Sequence, residues 1–302
     1  LGDVYKRQTD LKEAFRRGNV YIQLIFINVG VFVITTLIGI LLQLFNRSAA
    51  GIFELLALPA SFTRFAWQPW SIFTYMFMHA GFLHILFNML WLYWFGALFL
   101  YFFSGKHLRG LYIVGGICGG LLYMISYNVF PYFRPMTAYS TMVGASASVL
   151  AIVVATAYRE PNYPVRLLFF GNVRLKYLAL IVVLTDLLFI TSSNAGGHIA
   201  HLGGALAGLW FAASLNKGKD ITSWVNKALD AIAALFSAKT WKRKPKMKVH
   251  YGNNTRQNDY DYNARKKAQS DEIDRILDKL KKSGYESLTT EEKKSLFDAS
   301  KR

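Results

Sequence analysis

Three clusters of polar residues interrupt the long apolar stretches of this chain, and their residue types suit acyl-transfer chemistry. In chain order the clusters are His79, His84 and Asn88, then Gly144-Ala145-Ser146, then His198 and His201. A Ser hydroxyl becomes a useful nucleophile when a neutral His beside it takes its proton. Asn and a second His can donate hydrogen bonds to a developing oxyanion, as can the backbone N–H of the Ser. Because His84 and Asn88 are four residues apart, they share one face of a helix.

A stripe of small residues explains how two of these clusters could meet. His201, Gly204 and Gly208 lie on one helix face, and small residues at four-residue spacing let two helices approach closely. If this stripe packs on the helix near Ser146, with Gly144 as part of the matching small surface, His201 comes close to the Ser hydroxyl. The spacing therefore predicts a Ser–His pair built from helices distant in sequence.

Composition indicates what kind of elements carry these clusters. The chain has 302 residues, of which 53% are hydrophobic and 18% charged, with a formal net charge of +17. A soluble domain is nearer one quarter charged, so the composition excludes a disordered chain and disfavours an ordinary soluble enzyme. Residues 1–216 hold 14 Lys and Arg with 6 Asp and Glu, whereas residues 217–302 hold 21 and 12. An apolar membrane part is therefore followed by a polar tail.

The uncharged stretches predict six transmembrane helices, since roughly 20 apolar residues cross about 30 Å of hydrocarbon. The predicted spans are 20–45, 82–103, 110–130, 142–157, 176–193 and 198–215. Lys and Arg concentrate before the first span, between spans 2 and 3, between spans 4 and 5, and in the tail. This distribution predicts that both termini are cytoplasmic. The three polar clusters then all lie near the outer ends of spans 2, 4 and 6.

Taken together, the clusters resemble those of a known family. The strings are HILFN (84–88), GASA (144–147) and AHLGGALAG (200–208). In this order on six spans they resemble a rhomboid intramembrane serine protease, over roughly residues 18–215. The resemblance implies that Ser146 is the nucleophile and His201 the general base. It also implies that His84, Asn88 and the Ser146 amide form the oxyanion hole.

The resemblance extends to helix packing but is incomplete at three positions. Gly204 and Gly208 match glycines that pack the family's last core helix tightly. Ala147 stands where the family usually has Gly, and Leu150 stands where relatives often have a Tyr stacked on the His. The Trp-Arg pair common in the family's first outer loop is not evident, because Trp67 is followed by Gln. These departures bear on rate and substrate preference more than on activity.

Asp186 is the one acidic residue well inside a predicted span. Its distance from the outer end of span 5, roughly seven to ten residues at about 1.5 Å each, places it near the midplane and deeper than Ser146. We therefore expect a buried structural hydrogen bond or a protonated acid, with a functional role as the open alternative, and not a Ser-His-Asp triad. The resemblance likewise implies a Ser–His dyad.

The histidines also raise the question of a metal. His198 and His201, with His79 or His84, lack an acidic or thiol ligand in the sequence, so no metal site is predicted. Neither is a cofactor expected. We expect His79 to brace the loop before span 2, and His198 to face the outer interface. Residues 46–70 are apolar and aromatic but too short to span, which is typical of an interfacial loop.

The sequence divides into four segments. They are a cytoplasmic N-terminal segment (1–17, of which 1–8 is expected to be foreign or incomplete because the chain begins Leu-Gly-Asp), a six-span protease domain (18–215), an amphipathic helix with a basic linker (216–268), and a small cytoplasmic helical hairpin (269–302). Apolar residues of 220–236 predict a helix on the membrane surface or on a partner. Residues 249–268 are polar and predict a linker. Thr289 and Glu292 predict a capping box.

The run 239–248 has six basic residues in ten. It would attract anionic lipid headgroups, or simply fix the topology. Nucleic-acid binding is not expected, since no folded motif accompanies the run.

These observations predict an all-α polytopic membrane protein, a six-transmembrane-helix rhomboid-like bundle with a small helical cytoplasmic tail. The predicted function is an intramembrane serine endopeptidase that cleaves single-pass transmembrane substrates near the outer face. A catalytically weak or inactive rhomboid-like protein that binds membrane clients is the alternative. A transporter would need inverted repeats or broken spans with a midplane site, which the sequence lacks. The expected location is a bacterial inner (plasma) membrane.

Overall fold

The computed structural model describes residues 19–167, 171–235 and 255–300. The chain divides into two units, residues 1–238 and residues 239–302. The predicted N-terminal segment (1–17) and the basic run (239–248) lie outside the described residues.

The first unit is helical, with two short antiparallel strand pairs. Its helices are α1 (Val20–Leu44), α2 (Ala50–Leu56), α3 (Phe62–Trp67), α4 (Ser71–Thr74), α5 (Phe82–Phe102), α6 (Gly105–Val129), α7 (Ser146–Arg159), α8 (Leu175–Leu188), α9 (Ala195–Asn216) and α10 (Ser223–Leu235). Its strands are β1 (Leu58–Pro59), β2 (Thr141–Met142), β3 (Pro164–Leu167) and β4 (Gly171–Arg174). β1 pairs with β2, and β3 pairs with β4 in the loop between α7 and α8.

Each predicted span contains a helix, but only some of the helices have spanning length. Among the described residues, α1, α5, α6 and α9 are long and apolar enough to cross a membrane. α7 and α8 have 14 residues each, about 21 Å at 1.5 Å per residue, which is less than the hydrocarbon thickness of about 30 Å. The part of the chain that the structure describes thus has four helices of spanning length, and the six predicted spans are not confirmed. α7 is shortened because residues 141–142 form strand β2, and α8 because the chain turns after Leu188.

α7 is the central helix of the bundle. Residues 147–157 are all buried, and α5, α6, α8 and α9 pack around them. A Cβ atom added at Gly204 would collide with the backbone carbonyl of Ala147, and one at Gly208 with that of Ala151. The glycine stripe predicted from the sequence therefore brings the backbones of α7 and α9 into direct contact.

Glycines of α6 close the other side of α7. A Cβ atom at Gly119 would lie 2.6 Å from Ala147 Cβ, and one at Gly115 would lie 2.5 Å from Ala151 Cβ. Because real Cβ atoms keep well over 3 Å apart, neither position tolerates a side chain without movement of a helix. Ala147 and Ala151 thus contact glycines on both sides.

A polar side chain attaches α1 to this bundle. Asn28 is fully buried, and its amide nitrogen donates to the Tyr112 hydroxyl at 3.0 Å and to the Leu24 carbonyl at 2.8 Å. Tyr112 in turn donates to the Met76 carbonyl at 2.9 Å. Polar groups in an apolar bundle need such partners, so the network ties α1, α6 and the loop before α5 together.

The loop between α1 and α5 has its own hydrogen-bonded structure. Gln68 Nε2 donates to the Ala57 carbonyl, Trp70 Nε1 to the Leu55 carbonyl and Thr74 Oγ1 to the Leu56 carbonyl. Trp67 projects outward with 82% of its surface exposed. A loop whose backbone carbonyls are hydrogen-bonded within the loop, and whose aromatic side chains project outward, fits the interfacial loop predicted from the sequence.

The predicted amphipathic helix after the bundle is present as α10, and it docks on the same chain. Val225 is buried against Val114 and Ala207. Arg109 of α6 donates to Asn226 Oδ1 at 2.8 Å. These contacts attach α10 to the N-terminal part of α6 and the C-terminal half of α9.

The second unit is a helical hairpin of α11 (Thr255–Ser283) and α12 (Thr290–Ser300). Gly284 ends α11 with φ +78°, and Thr289 and Glu292 exchange the two hydrogen bonds of the predicted capping box. The predicted linker over 249–268 is wrong from Thr255 onward, where the chain is helical. Residues 255–268 contain no Gly or Pro, so their polarity does not prevent a helix.

The contact between α7 and α9 predicts a strong asymmetry between two glycine substitutions. Gly204→Ala should lower stability by about 1–3 kcal/mol, because its methyl group meets backbone that cannot rotate away. Gly30→Ala in α1 is the matched control, since nothing lies within 4 Å of its added Cβ. Thermal unfolding of the detergent-purified protein measures both. Equal unfolding temperatures for the two variants would contradict the close approach of α7 and α9.

Candidate active site

Ser146 is the first residue of α7. The preceding Gly144 has φ +135°, and its N–H donates to the Tyr75 carbonyl at 2.9 Å. The first N–H groups of a helix have no partner within the helix and carry partial positive charge. Ser146 Oγ therefore lies at a helix end suited to stabilising a nearby anion.

The sequence predicted that Gly144 takes part in helix packing, and the structure corrects this prediction. Gly144 lies before α7, and a Cβ atom there would meet His84 Nε2 at 2.9 Å. Its positive φ is a backbone conformation that glycine adopts without strain. Gly144 therefore shapes the turn into Ser146 and makes room for the His84 ring.

His201 of α9 meets Ser146 directly. Its Nε2 atom lies 2.6 Å from Ser146 Oγ, and its side chain is 22% exposed. The contact follows from the glycine stripe, since Gly204 is one helical turn below His201 on the same face. The structure thus brings together the two residues that the sequence singled out as nucleophile and base.

Asp186 is a third member of this cluster, which corrects the prediction that it lies deeper than Ser146. Asp186 Oδ1 is 2.8 Å from His201 Nδ1. The prediction placed the outer end of span 5 near residue 193, but α8 ends at Leu188. Asp186 consequently belongs to the last turn of α8 and reaches the histidines of α9.

His198 contacts the same carboxylate oxygen. Its Nδ1 atom is 2.8 Å from Asp186 Oδ1, so it does not simply face the outer interface as predicted. Asp186, His198 and His201 each offer one atom that could ligate a metal. These three atoms lie within 4.8 Å of one another, which is close enough for one metal ion. The expectation that no acidic group stands beside these histidines is therefore wrong.

His84 and Asn88 lie across from the Ser–His pair on α5. The Ala80 N–H donates to His84 Nδ1 at 3.3 Å, which leaves the proton on Nε2, the atom that a Cβ built on Gly144 would meet first. Asn88 Nδ2 donates to the His84 carbonyl at 2.8 Å, and an amide nitrogen has a second N–H to offer. Both side chains line the same cavity as Ser146.

Two cavities meet at Ser146 and His201. A larger one of about 580 Å³ is lined by polar residues such as His84, Ser140 and Asn194 and also by apolar residues such as Leu83 and Val143. A smaller one of about 210 Å³ lies between α5, α7 and α8, and its lining is mostly apolar. The reacting pair therefore borders a cavity of mixed polar and apolar lining on one side and a mostly apolar cavity on the other.

Comparison with known proteins identifies the family. The family model described as the rhomboid domain matches residues 66–217, which is half of the 302-residue chain. The chain belongs to the rhomboid family. With its apolar helices, it is an integral membrane protein. The matched region contains Ser146, Asp186 and His201.

One relative and one further family accompany this match. The protein described as "RHOMBOID-like protein 12, mitochondrial" from Arabidopsis thaliana is 29% identical over 158 residues, which cover 49% of this chain and 47% of that protein. This rhomboid thus spans about half the length of that relative. A second family model, of unknown function (DUF6576), matches residues 257–302, the region of the α11–α12 hairpin.

Two positions where this rhomboid departs from its family's pattern lie directly beside the site. Ala147 is buried between α6 and α9, so its methyl group fits a surface that elsewhere requires glycine. Leu150 lines the small apolar cavity together with Phe87, Trp91 and Val182. Both side chains are small or flexible enough to leave the Ser–His contact intact.

His79 lies next to the site and is buried. It is 3% exposed, and its ring packs edge-on against His84 with centroids 5.1 Å apart. Burial, and then the nearby His84, lower the pKa of His79 from its ordinary value to about 4. The folded protein thus holds a neutral imidazole where the unfolded chain would bind a proton.

Stability should therefore fall as the pH drops from about 6.5 towards 4, because His79 gains a proton in that range in the unfolded chain and not in the folded protein. His79→Gln has no imidazole to titrate, so its unfolding temperature should depend less on pH over this range. Thermal unfolding of both proteins between pH 8 and pH 4.5 tests this, with the values at pH 8 as reference. An unchanged pH dependence in the variant would contradict the assignment.

Proposed function

We propose that this rhomboid is an intramembrane serine endopeptidase that cleaves single-pass transmembrane proteins. The observation that carries the proposal is the 2.6 Å contact between Ser146 Oγ and His201 Nε2 at the N-terminus of α7. Hydrogen-bond donors lie around this contact, at the position where the oxyanion of the reaction would form. No metal or nucleotide enters the mechanism.

The reaction would proceed by acyl transfer. Ser146 Oγ attacks the scissile carbonyl while His201 Nε2 takes the hydroxyl proton. The carbonyl oxygen becomes an anion that accepts hydrogen bonds from the Ser146 N–H, His84 Nε2 and Asn88 Nδ2. His201 then gives its proton to the departing amine as the C–N bond breaks. Water, deprotonated by His201, hydrolyses the resulting ester and releases Ser146.

The two cavities suit this reaction in a membrane. The larger cavity supplies water for hydrolysis of the acyl-enzyme. The smaller apolar cavity opens beside Phe87, Trp91 and Val182 of α5 and α8, where an apolar substrate segment could reach Ser146 from the lipid. We infer that substrates pass between α5 and α8, and that their helix unwinds close to the outer face. By family resemblance, they would have small residues at the cut.

The membrane arrangement is part of the proposal. All six predicted spans would cross the bilayer, with the short α7 and α8 completed by the segments that adjoin them, and both termini would face the cytoplasm. The basic run 239–248 would contact anionic lipids on that side. A bacterial inner membrane stays a prediction, and the relative from Arabidopsis is the one described as mitochondrial.

Cleavage of a transmembrane model substrate in proteoliposomes tests the proposal. Ser146→Ala and His201→Ala should each lower the rate by at least about 10³-fold, because nucleophile and base act as one unit. Ser148→Ala is the matched control. It removes a hydroxyl two residues further along α7, where the side chain is buried and faces Gly116, and it should retain activity. A fluorophosphonate should label wild-type Ser146 and leave Ser146→Ala unlabelled.

Two results would contradict the proposal. Undiminished cleavage by Ser146→Ala or His201→Ala would remove the pair from the mechanism. Wild-type protein that cleaves none of several substrates and resists the fluorophosphonate, yet binds those substrates, would instead support the alternative of a client-binding rhomboid-like protein.

A further inference from the structure

We propose that Asp186 is a positioning residue for His201, so that the site works as a Ser–His–Asp relay of hydrogen bonds with His198 as a second partner of the carboxylate. The inference rests on the proposed function, because it assigns a role within that site. Its physical basis is one row of contacts. His201 Nε2 lies 2.6 Å from Ser146 Oγ. On the other side of the same ring, His201 Nδ1 lies 2.8 Å from Asp186 Oδ1.

The carboxylate fixes which ring nitrogen of His201 carries the proton. In the relay that we propose, the Asp186 carboxylate is the acceptor and His201 Nδ1 carries the proton of the 2.8 Å contact. Nε2 is then the unprotonated nitrogen, and its lone pair points at the Ser146 hydroxyl. Without an acceptor at Nδ1, the ring is free to adopt the other tautomer, in which an Nε2–H faces Ser146 and cannot take its proton.

His198 gives the carboxylate its second hydrogen bond. Its Nδ1 atom lies at the same 2.8 Å distance from Asp186 Oδ1, and the Asp186 side chain is only 5% exposed. A carboxylate oxygen that is buried away from water needs hydrogen-bond donors from the protein. Because His198 and His201 are three residues apart on α9, they hold the carboxylate between them, and α8 is tied to α9 at the height of the nucleophile.

Hydrogen bonding accounts for this cluster better than a metal ion does. The two His–Asp distances of 2.8 Å are normal for charge-assisted N–H···O bonds. Ligands around tetrahedral Zn²⁺, at about 2.0–2.1 Å from the ion, would be about 3.3 Å apart. A metal on His201 Nδ1 would also compete with Asp186 for the nitrogen that the relay requires.

Kinetics of Asp186→Asn test the relay. The variant keeps the size of the side chain and removes its charge, and it should lower kcat by about 10²–10⁴-fold with KM within about 2-fold of wild type. Fluorophosphonate labelling of Ser146 should slow by a similar factor. Asp186→Glu should recover part of the loss. Thr185→Val is the matched control and should behave as wild type, because it changes the adjacent residue, whose hydroxyl donates to the Ile181 carbonyl of its own helix.

A measurement on the unsubstituted protein decides the matter even if Asp186→Asn fails to fold. NMR of protein labelled with ¹⁵N-histidine, with the His201 signals assigned from their loss in His201→Ala, should show the Nδ1–H tautomer at neutral pH. An Nε2–H tautomer would overturn the inference. A kcat for Asp186→Asn within about 3-fold of wild type would do the same.

Two controls distinguish the relay from a metal site and from a failure of the proposed function. Activity that EDTA abolishes and Zn²⁺ restores would mean that the cluster binds a metal, and would overturn the relay, whereas insensitivity to both supports it. If Ser146→Ala remained active, the proposed function itself would fail. Active wild type, inactive Ser146→Ala and fully active Asp186→Asn would reject the relay alone.

Discussion

The direct contact between the backbones of α7 and α9 is the constraint on which the rest of the site depends. Gly204 and Gly208 allow it, because any side chain at either position would occupy the space of the Ala147 or Ala151 carbonyl. In a membrane, where lipid tails are as apolar as the side chains, helices gain little from simply excluding solvent, and close packing of small residues supplies much of the association. The same contact brings His201 within 2.6 Å of Ser146. Packing and chemistry therefore depend on one stripe of residues.

The shortness of α7 is the second condition. If α7 crossed the whole bilayer, Ser146 would lie within the helix, with another helical turn before it and lipid beside it. Because α7 begins at Ser146, the space above it is left to strand β2, the turn at Gly144 and a cavity of about 580 Å³. The positive end of the helix then faces that cavity. Water and an oxyanion can thus be accommodated at a point that apolar helices surround on all other sides.

The sequence predicted the parts of the site that depend on spacing within a helix. His84 with Asn88, and His201 with Gly204 and Gly208, follow from the helical period. In the structure the two histidines and Asn88 line the same cavity as Ser146, and the two glycines lie against Ala147 and Ala151. The sequence-based prediction was wrong where it depended on the position of a helix end. Apolar residues continue past Leu188 to Ile190, so nothing in the pattern marks the true end of α8, and Asp186 was placed too deep. The linker predicted before residue 268 failed for a related reason, since polar composition alone does not distinguish a solvated helix from a coil.

The requirement that buried polar groups be partnered could have located Asp186 without any knowledge of the helix end. A carboxylate within an apolar segment needs donors, and among the neighbouring elements the histidines of α9 offer them. Such a carboxylate is stabilised by the N–H groups that it orients, so the interaction that makes its burial tolerable is also the one that sets the tautomer of His201. In a soluble protease, water could satisfy a misplaced carboxylate and leave the base unoriented. Inside the bundle, the apolar surroundings remove that alternative and couple the stability of this corner of the fold to the chemistry of the site.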